Sequence, residues 1–191
     1  MRIVGGVHRG RVLTSPVGKD IRPTLDRVRE SLFNILNHAG RWYDTGRNPV
    51  YDGLVLDAFA GSGALGIEAL SRGATHAVFF ERDEAALATI SRNIADLKLG
   101  DQAKARRADA TKPPHASQPA SLVFLDPPYG QDLLSPTIAA LKAAGWINAE
   151  TLIVAERDQR DTAPTLPGLE ILDSRKYGRC QIEMMRFYDT V

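Results

Sequence analysis

The segment LDPPYG at residues 125–130 sets an acid, two prolines, an aromatic ring and a glycine directly behind the apolar run SLVFL. A short apolar run bounded by turn residues reads as a buried strand, which leaves Asp126 at its end. Proline has no N–H and a fixed φ, and Pro128 also restricts Pro127 to extended backbone. The carbonyls of this segment are therefore rigid acceptors beside the Asp126 carboxylate. Such a pair suits the two hydrogens of an exocyclic aromatic amine. That amine is a poor nucleophile, because its lone pair is delocalised into the ring. Acceptors drawing its hydrogens out of the ring plane localise the pair toward an electrophile, by position and electrostatics and without a metal. Tyr129 offers a flat face for a base extruded from its stack. Asp126, Pro127, Pro128 and Tyr129 are the candidate catalytic residues.

Asking what each strand ends in finds three more acids. LVLD ends in Asp57, AVFFE in Glu81 and AKARRAD in Asp109. In an open α/β sheet, ligands bind at the carboxyl ends of the strands, where the strand order reverses. One such acid is as well explained as a turn or helix cap; four together form a constellation. After Asp57 the chain runs AFAGSGALG, a G-x-G-x-x-G over 61–66 of the kind that cradles several nucleotide cofactors. In the NAD fingerprint the first glycine follows the strand almost at once, and a pyrophosphate sits on the helix N-terminus. Here Ala58, Phe59 and Ala60 intervene, and a carboxylate stands at the mouth of the loop. That acid would repel a pyrophosphate but tolerate a cationic amino acid or a sulfonium. Gly61 and Gly63 allow backbone to approach a ligand closely. Glu81 follows Gly61 by ~20 residues, the spacing at which an acid accepts ribose hydroxyls. The loop therefore favours S-adenosylmethionine, although its glycines alone fit NAD as well.

These residues need a scaffold, and the chain supplies one from residue 54. Strands at 54–57, 77–81, 103–109, 121–126 and 151–156 alternate with helices starting near Gly63 and spanning 83–99 and about 133–144. LEILDSRKY and CQIEMMRFY follow, separated only by Gly178 and Arg179, and read as a hairpin. The expectation is an α/β, Rossmann-like, doubly wound, mostly parallel seven-stranded sheet with an antiparallel C-terminal hairpin. KPPHASQPA (112–120) reads as a rigid surface loop. Before the sheet, RIVGGVHRGRVLTSPVG predicts a small hairpin or extended arm. A helix follows, with Thr24 as cap, Asp26 on the positive end of its dipole and Leu25, Val28, Leu32, Ile35 and Leu36 on one face. Gly40 supplies the stop, and 41–53 reads as a surface loop. The division expected is a basic arm and helix over 1–52 and the sheet domain over 53–191.

Charge sharpens that division. The chain carries a net +1 overall, yet residues 1–30 hold seven Arg or Lys against three Asp or Glu. A basic head on a mildly acidic body suggests a polyanion contact through Arg2, Arg9, Arg11, Arg22, Arg27 and Arg29. One cysteine, Cys180, cannot close an internal disulfide, which points to a reducing cytoplasm; it lies in a predicted strand and reads as packing. No apolar run is long enough for a bilayer, and the N-terminus lacks a signal h-region. His8, His38, His76 and His115 share no ligand spacing, so no metal is expected. The absence of G-x-S-x-G and of G-x-x-x-x-G-K-[ST] argues against serine hydrolase and P-loop chemistry.

The chain resembles the RsmD-type family of bacterial small-subunit rRNA (guanine-N2)-methyltransferases, within the class I S-adenosylmethionine-dependent enzymes marked by (D/N/S)PP(Y/F/W). The carriers are RIVGGVHRGR at the start, RPTLDRVRESLFNIL at 22–36, LDAFAGSGALGIEALSRGA at 56–74, FFERD at 79–83, LDPPY at 125–129 and YG at 177–178. The resemblance implies methyl transfer to the N2 amine of a guanine in 16S-type rRNA. It implies that Asp57 and the backbone of Ala58, Phe59, Ala60, Gly61 and Gly63 hold the methionine part of the cofactor. Glu81, with Arg82 beside it, would hold the ribose, and Asp109 with Ala110 the adenine. Asp126, the Pro127 carbonyl and Tyr129 would grip the guanine. The implied partner is rRNA within a small ribosomal subunit or its assembly intermediate, met by a cytoplasmic monomer. Three other readings stay open: N6-adenine methylation of DNA or RNA, whose amine presents the same two hydrogens; an NAD-linked oxidoreductase; and a non-catalytic RNA-binding module.

Overall fold

The computed structural model describes residues 1–15, 24–42 and 46–188. Arg22 and the side chains of Thr24 and Leu25 lie outside the described residues. A helix, α1 (Thr24–Leu36), and a 3-10 turn (Ala39–Trp42) precede the sheet. The sheet elements follow as β1 (Leu54–Asp57), α2 (Ala64–Ser71), β2 (His76–Glu81), α3 (Glu84–Asp96), β3 (Ala103–Arg107) and β4 (Leu122–Leu125). They continue as α4 (Leu134–Ala143), β5 (Leu152–Asp158), β6 (Leu169–Tyr177) and β7 (Cys180–Phe187). The expected seven-stranded α/β sheet is present, in the order β3-β2-β1-β4-β5-β7-β6. β1 to β5 are parallel, while β7 is antiparallel to both β5 and β6. The order reverses between β1 and β4, which opens the crevice of a doubly wound sheet there.

Side-chain alternation along the strands divides the core between the two faces. Val55, Phe79, Phe124 and Val154 face one layer with Phe33 and Leu36 of α1, Ile67 of α2 and Ile90 of α3. Leu56, Phe80, Val123 and Ile153 face the other, with Leu134, Ile138 and Leu141 of α4 and with Trp146. Trp146 meets Phe80 edge to face at 5.2 Å between centroids, a favoured aromatic geometry, and its indole N–H donates to the Pro114 carbonyl. That bond pins the proline-rich 112–120 segment, which crosses from β3 to β4 without a helix.

The head forms a turned-back pair, with an antiparallel bridge between Arg2 and Val12. Ile3 and Leu13 are buried in the same core layer as Val55 and Phe124. Backbone groups of the head bond to α2 and α3: the Val4 N–H donates to Glu68, the Val7 N–H to the Ser71 carbonyl and the Thr14 N–H to Asn93. Two sequence expectations shift here. α1 ends at Leu36 rather than at Gly40, which lies within the 3-10 turn, where a Cβ would come within 2.4 Å of the Gly46 carbonyl oxygen. Within the expected surface loop at 41–53, Val50 is buried and the Trp42 carbonyl accepts from Arg186 of β7.

Candidate active site

The site begins from strand register. Asp57 of β1 lies level with Phe79 of β2 and Phe124 of β4, and Phe124 is level with Val154 of β5. Two residues further along each chain stand Glu81, Asp126 and Glu156. Because side chains alternate with a period of two, these acids continue the rows of their strands at the carboxyl edge. Asp109 lies two residues past the end of β3, which is shorter than its predicted span. A cavity of about 840 Å³ opens along this edge, and Asp57, Glu81, Asp109, Asp126 and Glu156 all line it. Its volume lies within the range typical of small-molecule and cofactor sites. Ala58, Phe59, Ala60, Gly61, Arg82, Ala110, Pro127, Pro128 and Tyr129 line it as well. Gly63 is not in the cavity wall: it is the N-cap of α2, buried against Ile67, Ile90 and Phe79.

Each acid has a different environment. Asp57 is buried and accepts the Gly66 N–H at 3.1 Å. Burial disfavours its charge and raises its pKa to about 7; the Gly66 bond opposes that shift and the Glu81 charge adds to it. Glu81 accepts the Gly61 N–H through one oxygen (2.9 Å) and the Asp83 N–H through the other (2.8 Å). It thereby ties the glycine loop to the end of β2. Asp109 accepts both the hydroxyl and the N–H of Thr111, which hold its carboxyl below the usual range. Gly61 has a φ of +56°, and a Cβ there would meet no protein atom within 4 Å; it would project into open space in the cavity wall.

At the other end, Pro127 is buried while Asp126, Pro128 and Tyr129 are exposed at the cavity mouth. The Tyr129 hydroxyl donates to Glu156, and the Gly130 N–H donates to Asp161 in the segment after β5. The loop is thus anchored at its ring and at the residue that follows it. Burial and the Glu156 bond, with the charges of Glu156 and Asp126, push the Tyr129 phenol far above its ordinary pKa. Cys180 at the start of β7 feels the same surroundings: burial first, then Glu156 and Asp126, push its thiol up. A thiol held protonated is a poor nucleophile, which agrees with its reading as packing.

Glu156 is the residue that the sequence reading missed, yet the same question about strand ends finds it one strand further on, in TLIVAE. Among the cations expected to contact RNA, Arg2, Arg9, Arg11 and Arg27 are exposed. Arg29 requires a correction. It is only 5% exposed, with its guanidinium bonded to Asp26 and to the Arg2 carbonyl and 3.6 Å from buried Glu68. Its charge is committed within the fold, because a buried carboxylate 39 positions away in the chain needs it.

Among the described residues, no group of three or more His, Cys, Asp or Glu could hold a metal ion. Nor is any helix among them long and apolar enough to cross a membrane.

A family model described as Conserved hypothetical protein 95 matches residues 1–186. Over 167 residues the chain is 40% identical to ribosomal RNA small subunit methyltransferase D of Escherichia coli (strain K12), covering 87% of this chain and 79% of that one. Among solved structures, the yhhF protein of Escherichia coli superposes with a TM-score of 0.83 at 37% identity, over 98% of this chain and 97% of the other. An RNA methyltransferase from Salinibacter ruber, solved with S-adenosyl-L-homocysteine, shares the fold with a TM-score of 0.64 at 13% identity, over 89% and 96% of the two chains. The chain belongs to the Conserved hypothetical protein 95 family, the family of ribosomal RNA small subunit methyltransferase D.

Proposed function

We propose that this chain transfers a methyl group from S-adenosylmethionine to N2 of a guanine in small-subunit rRNA, acting on the ribosomal subunit or its assembly intermediate. The observation that carries this reading is one cavity joining the Asp57–Gly61–Glu81 corner to the Asp126-Pro-Pro-Tyr129 loop. The cofactor, when bound, supplies an electrophilic methyl group on a sulfonium.

The residues present fit that cofactor. Gly61 leaves open space where a side chain would intrude. Asp57 would hold the cationic end of the methionine part, with Ala58 to Gly61 beside it, and Glu81 the ribose hydroxyls. Asp109, with Ala110 and Arg82 nearby in the wall, would face the adenine. Gly63 supports the turn from behind, as the left-handed cap of α2. For the guanine, Tyr129 supplies the stacking face. Asp126 and the Pro127 carbonyl accept the hydrogens of the amine and fix its lone pair toward the cofactor side of the cavity. The exposed Arg2, Arg9, Arg11 and Arg27 would meet RNA phosphates, which set orientation and salt dependence rather than base identity.

The test is incubation with labelled S-adenosylmethionine and small subunits from cells lacking this methylation, followed by nucleoside analysis and mapping of the labelled nucleotide. Label in N2-methylguanine at one position is the expected result. Label in N6-methyladenine, or none, overturns the proposal.

A further inference from the structure

Asp126 and Tyr129 account for an amine and a flat base, but not for the choice between guanine and adenine, since both carry an exocyclic amine. Glu156 supplies what is missing. It lines the cavity beside Tyr129 and accepts the proton of the Tyr129 hydroxyl on Oε1. The ring is thereby held next to the carboxylate, and the hydroxyl's one proton is already engaged, so it is not available to an acceptor on the base. The hydrogen-bonding groups that Asp126, Pro127 and Glu156 present at this end of the cavity are carboxylate and carbonyl oxygens, all acceptors.

We propose that Glu156 is a specificity-determining residue that selects guanine over adenine by accepting the N1–H beside the N2 amine held on Asp126 and the Pro127 carbonyl. Guanine offers adjacent donors on that edge, N1–H and N2–H₂, and they match two neighbouring acceptors. Adenine places an unprotonated N1 next to its amine, so its lone pair would face the Glu156 carboxylate. The inference rests on the guanine-N2 reading above. A site built to bond a donor rejects the analogue that lacks it strongly, because its own polar group is then left unpaired.

The experiment uses small subunits reassembled around rRNA carrying either guanine or 2-aminopurine at the mapped nucleotide. 2-Aminopurine keeps the amine at position 2 but has no hydrogen on N1. The wild-type protein is expected to methylate guanine with a kcat/KM at least ~10-fold above that for 2-aminopurine. Glu156→Gln retains an oxygen for the Tyr129 hydroxyl and presents an amide donor to a bare N1. It is expected to shrink or reverse that ratio while leaving S-adenosylhomocysteine affinity unchanged. Equal use of the two bases by the wild type overturns the proposal, and so does a Glu156→Gln protein with the wild-type ratio. Those results leave guanine-N2 methylation standing; label on adenine N6 instead removes the reading on which the proposal rests.

Discussion

The Gly66 amide of α2 donates a 3.1 Å hydrogen bond to Asp57 at the end of β1, deep enough that the carboxylate is only 2% exposed. The single bond does not offset the loss of hydration, and the pKa rises to about 7. Gly66 is also the third glycine of the loop; a Cβ there would come within 2.3 Å of the Phe79 ring. One close helix–strand contact therefore sets the packing of α2 and holds the Asp57 carboxylate, while burial sets the direction of its pKa shift.

A pH dependence follows, with a definite sign. The folded pKa of Asp57 lies above its unfolded value of 3.8. Its stabilising contribution is therefore complete below pH 3.8 and is lost as pH rises through about 7. Asp57→Asn has no such titration. Urea denaturation of the two proteins should show the variant gaining on the wild type between pH 4 and 8, by up to about 4 kcal/mol in the limit of full burial. A pH-independent difference would contradict the assignment. With a cationic ligand end beside Asp57, binding favours the ionised form. S-adenosylhomocysteine should then bind more tightly at pH 8 than at pH 6, with uptake of the released proton by buffer visible in calorimetry.

Asp126 predicts a separation of binding from chemistry. It stands at the cavity mouth, remote in sequence from the Asp57–Glu81 corner. Asp126→Ala removes one of the two proposed amine acceptors. The rate of methyl transfer should fall by about two orders of magnitude, as it does when a preorganised hydrogen-bonding group is lost. The Kd for S-adenosylhomocysteine should stay within a few-fold. Single-turnover kinetics and titration on the same preparation check both halves, and a cofactor affinity that collapses with the rate would move Asp126 into the cofactor site.

Glu81 should behave in the opposite way. Its two oxygens receive the Gly61 and Asp83 N–H groups, so it shapes the loop as well as facing the proposed ribose. Glu81→Ala should weaken S-adenosylhomocysteine binding by at least about tenfold, given that hydrogen bonds to a charged group contribute about 1.5–3 kcal/mol each. At saturating cofactor the transfer rate should recover most of its value. Titration across a wide cofactor range measures both.

Strand type and the acids at strand ends were legible in the sequence because they are local. Apolar runs of four to six residues bounded by turn chemistry can form only so many structures, and an acid at the boundary is visible at once. The order within the C-terminal hairpin depends on burial instead. CQIEMMRF carries the apolar side chains needed against both neighbours and lies between β5 and β6, while LEILDSRKY is largely polar and takes the edge. Arg29 was misread for a related reason. The sequence shows a cation near a helix start among other cations, but its fate depends on Glu68, a residue of α2 that becomes its neighbour only when the head folds onto the domain. Glu156 was missed although the signal was present: the predicted strand TLIVAE ends in it, but it belongs to neither the glycine loop nor the Asp-Pro-Pro-Tyr segment, and only the fold sets it beside Tyr129.

That contrast between Arg29 and the exposed head arginines gives the last prediction. Glu68 has no exposed surface and receives both Arg29 (3.6 Å) and Arg72 (2.7 Å), while the Val4 N–H binds the same carboxylate. Arg29→Ala leaves a buried charge with one cation and empties a packed site, so it should lower the urea midpoint by an amount corresponding to about 3 kcal/mol. Arg9 and Arg11 lie on the exposed turn, where Val7 projects with 83% of its surface free. Reversing both with Arg9→Glu and Arg11→Glu should lower the urea midpoint far less than Arg29→Ala does, since Arg11 gives up only one exposed bond, to the Asp96 carbonyl at 3.3 Å, and surface substitutions cost little. The same double variant should weaken rRNA binding and flatten its dependence on log salt by about 1.4 to 1.8, the slope expected for two lost phosphate contacts. Denaturation and salt-dependent binding, run on both variants, separate the two roles. An Arg29→Ala protein of normal stability and a flattened salt slope would return Arg29 to the RNA surface.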